Sequence, residues 1–252
     1  MFGLTGRVAV VTGGNGGIGL GMARGLAKAG ARVVVAARDE AKSAAAVREL
    51  RALGSDALTI AVDVADERSV EALVAATVER CGRLDILVNN AGINIRKPAH
   101  ELALDEWRQV LDVNLTSAFL CSRAVHPHMK AGLGGKIVNI GSMLSLFGAS
   151  FAPAYGASKG GIVQLTRSLA VAWAADNVQV NAVLPGWVDT DLTRTARSQL
   201  QGLNERVLSR SPSGRWGTGE DFEGIAVFLC SDASAFITGT AIPVDGGYSS
   251  ML

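Results

Sequence analysis

The chain carries almost no net charge: 24 lysines and arginines stand against 23 acidic side chains, leaving +1 over 252 residues. Without an excess of either sign it offers no broad basic face for nucleic acid or an anionic membrane surface. It also lacks any charge-free run of about 18 apolar residues, and its first ten residues hold no basic stretch leading into an apolar one. The expectation is a soluble, cytoplasmic protein. Cysteine is scarce: Cys81, Cys121 and Cys230 are isolated, none has metal-ligand spacing, and each lies in an apolar helical pattern that suits core packing. His126 and His128 flank Pro127 with no acidic or cysteine neighbour in sequence, which favours a surface role at a helix end over a metal site.

No Pro/Ser-rich linker, low-complexity tract or internal repeat divides the chain, so residues 1–252 are read as one domain with a large core. Short apolar, β-branched runs alternate with long amphipathic segments: Arg7 to Val11, Arg32 to Ala36, Ala57 to Val62, Asp85 to Val88, Lys136 to Ile140, Val178 to Leu184 and Ala241 to Val244. The early runs are apolar almost throughout, as strands covered on both faces must be. The pattern predicts an α/β fold, doubly wound, with a seven-stranded parallel sheet.

The first strand runs into Thr12-Gly13-Gly14-Asn15-Gly16-Gly17-Ile18-Gly19, and an Ala/Leu/Met-rich helix follows. Glycines let a backbone approach a pyrophosphate closely, while the free amides and positive end of the helix stabilise its charge. In that context Gly13, Asn15, Gly17, Ile18 and Gly19 are candidate nucleotide contacts. The second strand ends at Ala36-Ala37-Arg38-Asp39, with no acidic residue at the tip to accept from a ribose 2′-OH. A guanidinium there suits a 2′-phosphate, so NADP(H) is favoured and NAD(H) remains possible. Asp63 and Val64 end the third strand where an adenine would lie, and Asn89-Asn90-Ala91-Gly92 follows the fourth. Both sit on the carboxyl edge where such sheets bind ligands. Asp63 could equally be a helix cap, and the asparagines turn formers.

Tyr155 and Lys159 stand four residues apart, on one face of a helix whose inward stripe continues through Ile162, Thr166, Leu169 and Trp173. An ammonium beside a phenol favours phenolate, which an unperturbed tyrosine reaches only near pH ~10. Asn114 falls on the apolar stripe Trp107, Val110, Leu111, Leu115, Ala118. Its amide is either satisfied by backbone within the core or held for a site.

Together these motifs, with Ser142, Pro185-Gly186 and Thr190, resemble the short-chain dehydrogenase/reductase family along nearly the whole chain. The resemblance implies a single Rossmann-like domain, a homotetramer, and an oxidoreductase interconverting a secondary alcohol and a ketone by hydride transfer with NAD(P). It implies that Tyr155 exchanges the proton with the substrate oxygen. Lys159 would hold the nicotinamide ribose and lower the tyrosine pKa, helped by the positive charge of oxidised nicotinamide. Ser142 would stabilise charge on the substrate oxygen, and Asn114 would hold a water leading from Lys159 to solvent. Pro185, Gly186, Val188 and Thr190 would flank the carboxamide. No metal is implied.

The stretch from Asp191 to about Ser213 shows no strong period and is expected to form a mobile substrate lid. Gly141 to Ser145, Gly92 to Lys97 and Gly214 to Gly217 resemble the branch acting on gluconate and keto-deoxy-gluconate type sugar acids. Arg96 and Lys97 are either carboxylate ligands for such a substrate or solvated loop charges. A 3-oxoacyl thioester reductase shares the same core motifs, but no basic carrier-docking patch is evident. A catalytically silent nucleotide-binding scaffold is disfavoured because Tyr155, Lys159 and Ser142 are all present.

Overall fold

The structure, a computed structural model, describes residues 1–251. All seven expected strands form, as β1 (Val8–Thr12), β2 (Arg32–Ala37), β3 (Leu58–Ala61), β4 (Ile86–Asn89), β5 (Gly135–Ile140), β6 (Val178–Pro185) and β7 (Ala241–Val244). They pair in parallel in the order β3-β2-β1-β4-β5-β6-β7, so the winding reverses between β1 and β4. The helices are α1 (Gly17–Lys28), α2 (Glu40–Ala52), α3 (Glu67–Cys81), α4 (Leu104–Leu111), α5 (Ser117–Ala131), α6 (Pro153–Trp173), α7 (Asp191–Gln199), α8 (Leu203–Arg210) and α9 (Glu223–Cys230).

Two apolar layers explain why the central strands are hydrophobic throughout. Ala9 and Val11 of β1 join Val33 and Val35 of β2 under α1, α2 and α9. Val8 and Val10 join Val34 and Ala36 on the opposite face, under α3, α5 and α6. Successive side chains of a strand point to opposite faces, so burial of both leaves no room for a polar alternation. Asp85, just outside β4, is buried and accepts from the Val8 amide at 2.9 Å.

Two expectations are corrected. Pro127 lies inside α5 and not at a helix end, and His126 does have an acidic partner: its Nε2 lies 2.9 Å from Asp176 Oδ2, and its ring stacks on Trp173. That partner is 50 residues away, beyond any local reading of the sequence. Among the described residues no group of three or more His, Cys, Asp or Glu side chains could hold a metal. Residues 191–210 are also more regular than expected. Thr190 caps α7, and Ala196, Leu203 and Val207 bury themselves against Trp187, Leu200 and Trp216 in a small core of their own. Each helix supplies only one or two buried positions, too few for a period to stand out.

The contact between α1 and α9 depends on missing side chains. A Cβ on Gly21 would overlap the Gly219 carbonyl, and one on Gly25 would come within 2.5 Å of the Glu223 oxygen. Because α1 begins at the glycine turn, this contact sets the position of the helix end that meets that turn. Gly21→Ala should destabilise the protein by about 1–3 kcal/mol through overpacking, read as a lower urea midpoint with an unchanged m-value.

Candidate active site

The carboxyl ends of β1, β4, β5 and β6 form one edge, and the loops leaving them build a cleft of about 300 Å³. Its first wall is the glycine turn, where Gly13 and Gly17 have φ of +63° and +50°, a region that suits residues without a Cβ. No side chain caps the first amides of α1 and no acid lies in its first turn, so the positive end of the helix faces the cleft uncompensated. Thr12 pins the turn to the end of β4: its Oγ1 accepts from the amides of Asn90 and Ala91 at 3.0 and 3.1 Å. Asn90 returns its amide protons to the carbonyls of Thr12 and Gly13. Asn15 donates to Ser43 Oγ at 3.1 Å, tying the turn to α2.

The second wall brings together Asn90, Ala91 and Gly92 after β4, Ser142 after β5, Tyr155 and Lys159 on α6, and Pro185, Gly186, Val188 and Thr190 after β6. Lys159 is buried, and its Nζ donates to the Ile140 carbonyl at 2.7 Å. Burial lowers its pKa from 10.5 to about 8. Asn114 lies in a π-helical turn, Asp112–Thr116, between α4 and α5. Its Oδ1 accepts from the Ile93 amide at 2.8 Å, and its Nδ2 donates to the Ile93 carbonyl and to Ser158 Oγ. The amide thus fastens the loop after β4 to α6, and a π turn of this kind is a frequent mark of a functional site.

The tuning of Tyr155 differs from the sequence expectation. Burial pushes the phenol above its ordinary value, while a hydrogen bond with Ser142 and the charge of Arg96 pull it down. Lys159 does not act as the main counterweight: its ammonium is 5.6 Å from the phenol ring centroid and is aimed at the end of β5. Ser142 Oγ accepts from the Leu144 amide at 3.1 Å, which leaves its own proton to the hydrogen bond with Tyr155.

Several expected residues stand outside this cleft. Arg38 is exposed at the tip of β2, in no ion pair or side-chain hydrogen bond among the described residues. Asp63 closes a turn by accepting from the Ala65 amide, and Val64 is buried in the core. Lys97 is taken by Glu106 at 2.6 Å and lines no cavity at the site, so the solvated-loop alternative describes it better than a carboxylate ligand. Arg96, by contrast, donates to the Leu192 carbonyl at 3.1 Å and lines a second cavity of about 820 Å³ that opens on Tyr155 and Ser142.

Four residues here were not singled out from sequence. Lys42 reaches from α2 to Asp191 at the start of α7, across the mouth of the nucleotide cleft. Asn94 lines the larger cavity, and its Oδ1 is buried without a hydrogen-bond partner. Arg206 and Arg210 line the same cavity, and their four-residue spacing on one helix face is a signal the sequence did contain.

A model of short-chain dehydrogenases described as enoyl-(acyl carrier protein) reductase matches residues 13–249. The chain belongs to the short-chain dehydrogenase/reductase family. This dehydrogenase/reductase is 42% identical to a 2-dehydro-3-deoxy-D-gluconate 5-dehydrogenase of Dickeya dadantii, over 98% of this chain and 97% of the relative. It is also 42% identical to a cis-4-hydroxycyclohexanecarboxylate dehydrogenase of Sinomonas cyclohexanicum, over 97% of each. A crystal structure of a gluconate 5-dehydrogenase from Burkholderia cenocepacia in complex with NADP and tartrate superposes with a TM-score of 0.94 at 40% identity, covering 100% of this chain and 98% of that one. The dehydrogenase/reductase is accordingly an oxidoreductase acting on a CH–OH group.

The lowered pKa of Lys159 has a consequence for stability. Below about pH 8 the folded and unfolded chains both hold the proton, and the fold carries the full cost of a buried ammonium. Between about 8 and 10.5 the unfolded chain binds more protons, so stability rises with pH. The span corresponds to roughly 3 kcal/mol at most. Lys159→Met should remove this rise, so the stability difference between variant and parent, measured by urea unfolding, should shrink from pH 7 to pH 10.

Proposed function

We propose that this protein catalyses the NADP(H)-preferring interconversion of a secondary alcohol and a ketone in a sugar acid. The observation that carries the substrate class is the lining of the larger cavity: Arg96, Arg206 and Arg210 face it, and no acidic side chain does. The orphan acceptor of Asn94 in the same cavity calls for a hydroxyl donor, which a polyhydroxylated acid supplies and an acyl chain does not. The relatives named for gluconate derivatives and for a hydroxycyclohexanecarboxylate pair a carboxylate with a remote hydroxyl, in keeping with that lining.

The nucleotide cleft suits a dinucleotide. Its floor is bare backbone: a Cβ on Gly92 would stand 3.2 Å from Asn114 Oδ1, and one on Gly16 would touch the Lys42 ammonium. The amides at the start of α1 would hold the pyrophosphate, Lys159 and Asn90 the nicotinamide ribose, and Val188 and Thr190 the carboxamide. At the ends of β3 and β2, Asp63 and Val64 would border the adenine and Arg38 would hold the 2′-phosphate. When bound, the nicotinamide supplies or accepts the hydride. Tyr155 gives its phenolic proton to the substrate oxygen in reduction and takes it back in oxidation. With substrate bound, Ser142 turns its hydroxyl proton from Tyr155 to the same oxygen, stabilising the charge that develops there. Asn114 keeps the π turn and the Gly92 loop fixed around Lys159 and would hold a water that connects the ammonium to solvent.

Residues 191–213 act as the lid, since Leu192, Thr193, Leu203, Val207 and Arg210 roof the cavity. We infer that the protein works in the cytoplasm as a homotetramer. No helix is long and apolar enough to cross a membrane among the described residues, and Phe119 on α5 and Val171 on α6 leave large apolar side chains exposed for subunit contacts.

Turnover by the purified protein tests this reading, with NADP or NAD supplied against sugar acids, polyols and 3-oxoacyl esters. A preference for 3-oxoacyl esters would reject it. Tyr155→Phe should bind NADPH as tightly as the parent by fluorescence titration and lose at least about a thousandfold in kcat. Arg38→Ala should raise the KM for NADPH by about tenfold or more while leaving that for NADH nearly unchanged; equal changes would remove the 2′-phosphate assignment.

A further inference from the structure

The cations of the lid segment fall into two groups. Arg194 pairs with Asp189 and Asp191, and Arg197 pairs with Asp189 while stacking on Trp216 at 3.7 Å. These charges are spent within α7 and its flanks. Arg206 is partly spent, donating to the Gln201 carbonyl at 3.2 Å. Arg210 is different: among the described residues it has no ion pair and no side-chain hydrogen bond. Its guanidinium lies over the Tyr248 ring at 4.7 Å and near the Phe147 ring at 5.7 Å. Aromatic faces hold such a group in place while leaving its edge donors open. Tyr248, Phe147 and Arg210 all line the cavity that reaches Tyr155 and Ser142.

Chain chemistry separates the arginines further. Arg96 acts electrostatically on the Tyr155 phenol, so it belongs to the end of the cavity where the reacting oxygen lies. In an acid such as gluconate oxidised at its fifth carbon, the carboxylate is four carbon–carbon bonds away from that carbon. A cation at the reacting end serves it poorly, whereas one on the lid helix serves it well.

We propose that Arg210, set against the Tyr248 and Phe147 rings, is the residue that selects for a carboxylate at the far end of the substrate. The proposal rests on the sugar-acid reading above. An unpaired guanidinium offers the two parallel donors that a carboxylate accepts, and ring contacts that restrain it beforehand reduce the ordering cost of binding. Because Arg210 sits on α8, the same contact draws the lid segment onto a substrate that carries the charge. A neutral polyol lacks that hold.

D-gluconate and D-glucitol provide the test, because they differ in a carboxylate against a hydroxymethyl group. With the parent enzyme and NADP, gluconate should show the lower KM. Arg210→Ala should raise the gluconate KM about tenfold or more, toward the glucitol value, with kcat and the KM for NADP little changed and glucitol kinetics unaffected. Arg210→Lys should recover only part of the loss, since it restores charge without the planar fork. Raised ionic strength should weaken gluconate use by the parent more than by Arg210→Ala. An unchanged gluconate KM in Arg210→Ala, with the parent still preferring gluconate, would overturn the role of Arg210 alone. An equal rise for gluconate and glucitol would also overturn it, marking a general packing role. A parent enzyme that uses the two equally, or only glucitol, would remove the sugar-acid reading and this inference with it.

Discussion

A buried ammonium governs the layout of this site. Lys159 is buried in the wall of the cleft with the Ile140 carbonyl as its hydrogen-bond acceptor, and an ammonium in that position is costly unless its surroundings are polar and fixed. Ile140 is the last residue of β5, so the bond locks α6 against the sheet at the edge where the strands end. Deeper along the same contact, Asn139 of β5 accepts from Asn89 of β4 at 2.8 Å and donates to Thr166 of α6 at 2.9 Å. These buried amides allow one register of helix on sheet, because a slide of α6 would leave several of them unpaired. Tyr155 is carried by the same helix, one turn nearer the edge, so its position follows from that of the lysine.

The loops around this anchor are held by polar contacts of similar economy. Thr12 and Asn90 bind the glycine turn to the end of β4, and Asn114 binds the Gly92 loop to α6 through Ser158. Each uses one side chain to satisfy two or three backbone or hydroxyl groups that the cleft would otherwise leave open. The cleft can therefore remain lined by bare backbone and still be rigid, which is what close approach to a flat ligand requires. Around α7 the arrangement is electrostatic: Asp189 and Asp191 absorb Arg194, Arg197 and Lys42, leaving the cavity with a net positive lining.

What could be read from the sequence was what local pattern encodes. The seven apolar runs predicted all seven strands to within a few residues, because burial on both faces leaves a mark on every position of a strand. The shared face of Tyr155 and Lys159 followed from helical spacing, and the glycine turn from its place between strand and helix. Contacts that join distant segments left no such mark. His126 meets Asp176 across 50 residues, Lys42 meets Asp191 across 149, and Asn89 meets Asn139 across another 50. The same limit applies to Tyr155 and Lys159. Four-residue spacing shows that two side chains share a face, but not which carbonyl the deeper one will find. Arg206 and Arg210 are the opposite case, a legible pair in a segment whose helices are too short to reveal themselves by period.

The division of charge around Tyr155 bears on the direction of catalysis. Burial raises the phenol pKa, and the pulls of Ser142 and Arg96 oppose that rise without reversing it, so the phenol remains protonated through the neutral range. In the proposed mechanism a protonated Tyr155 gives its proton to a ketone oxygen as reduction proceeds. Taking a proton from an alcohol needs the phenolate, and the chain's own charges do not stabilise that form enough. In the proposed mechanism, further positive charge beside the phenol, such as an oxidised nicotinamide would carry, favours oxidation at neutral pH. Lys159 is well placed to reinforce such a charge, since it is rigidly held one turn below and keeps most of its own charge below about pH 8. The lysine thus contributes less as a direct partner of the tyrosine than as a fixed cation under the floor of the cleft, and alkaline conditions, which favour phenolate, steadily remove it.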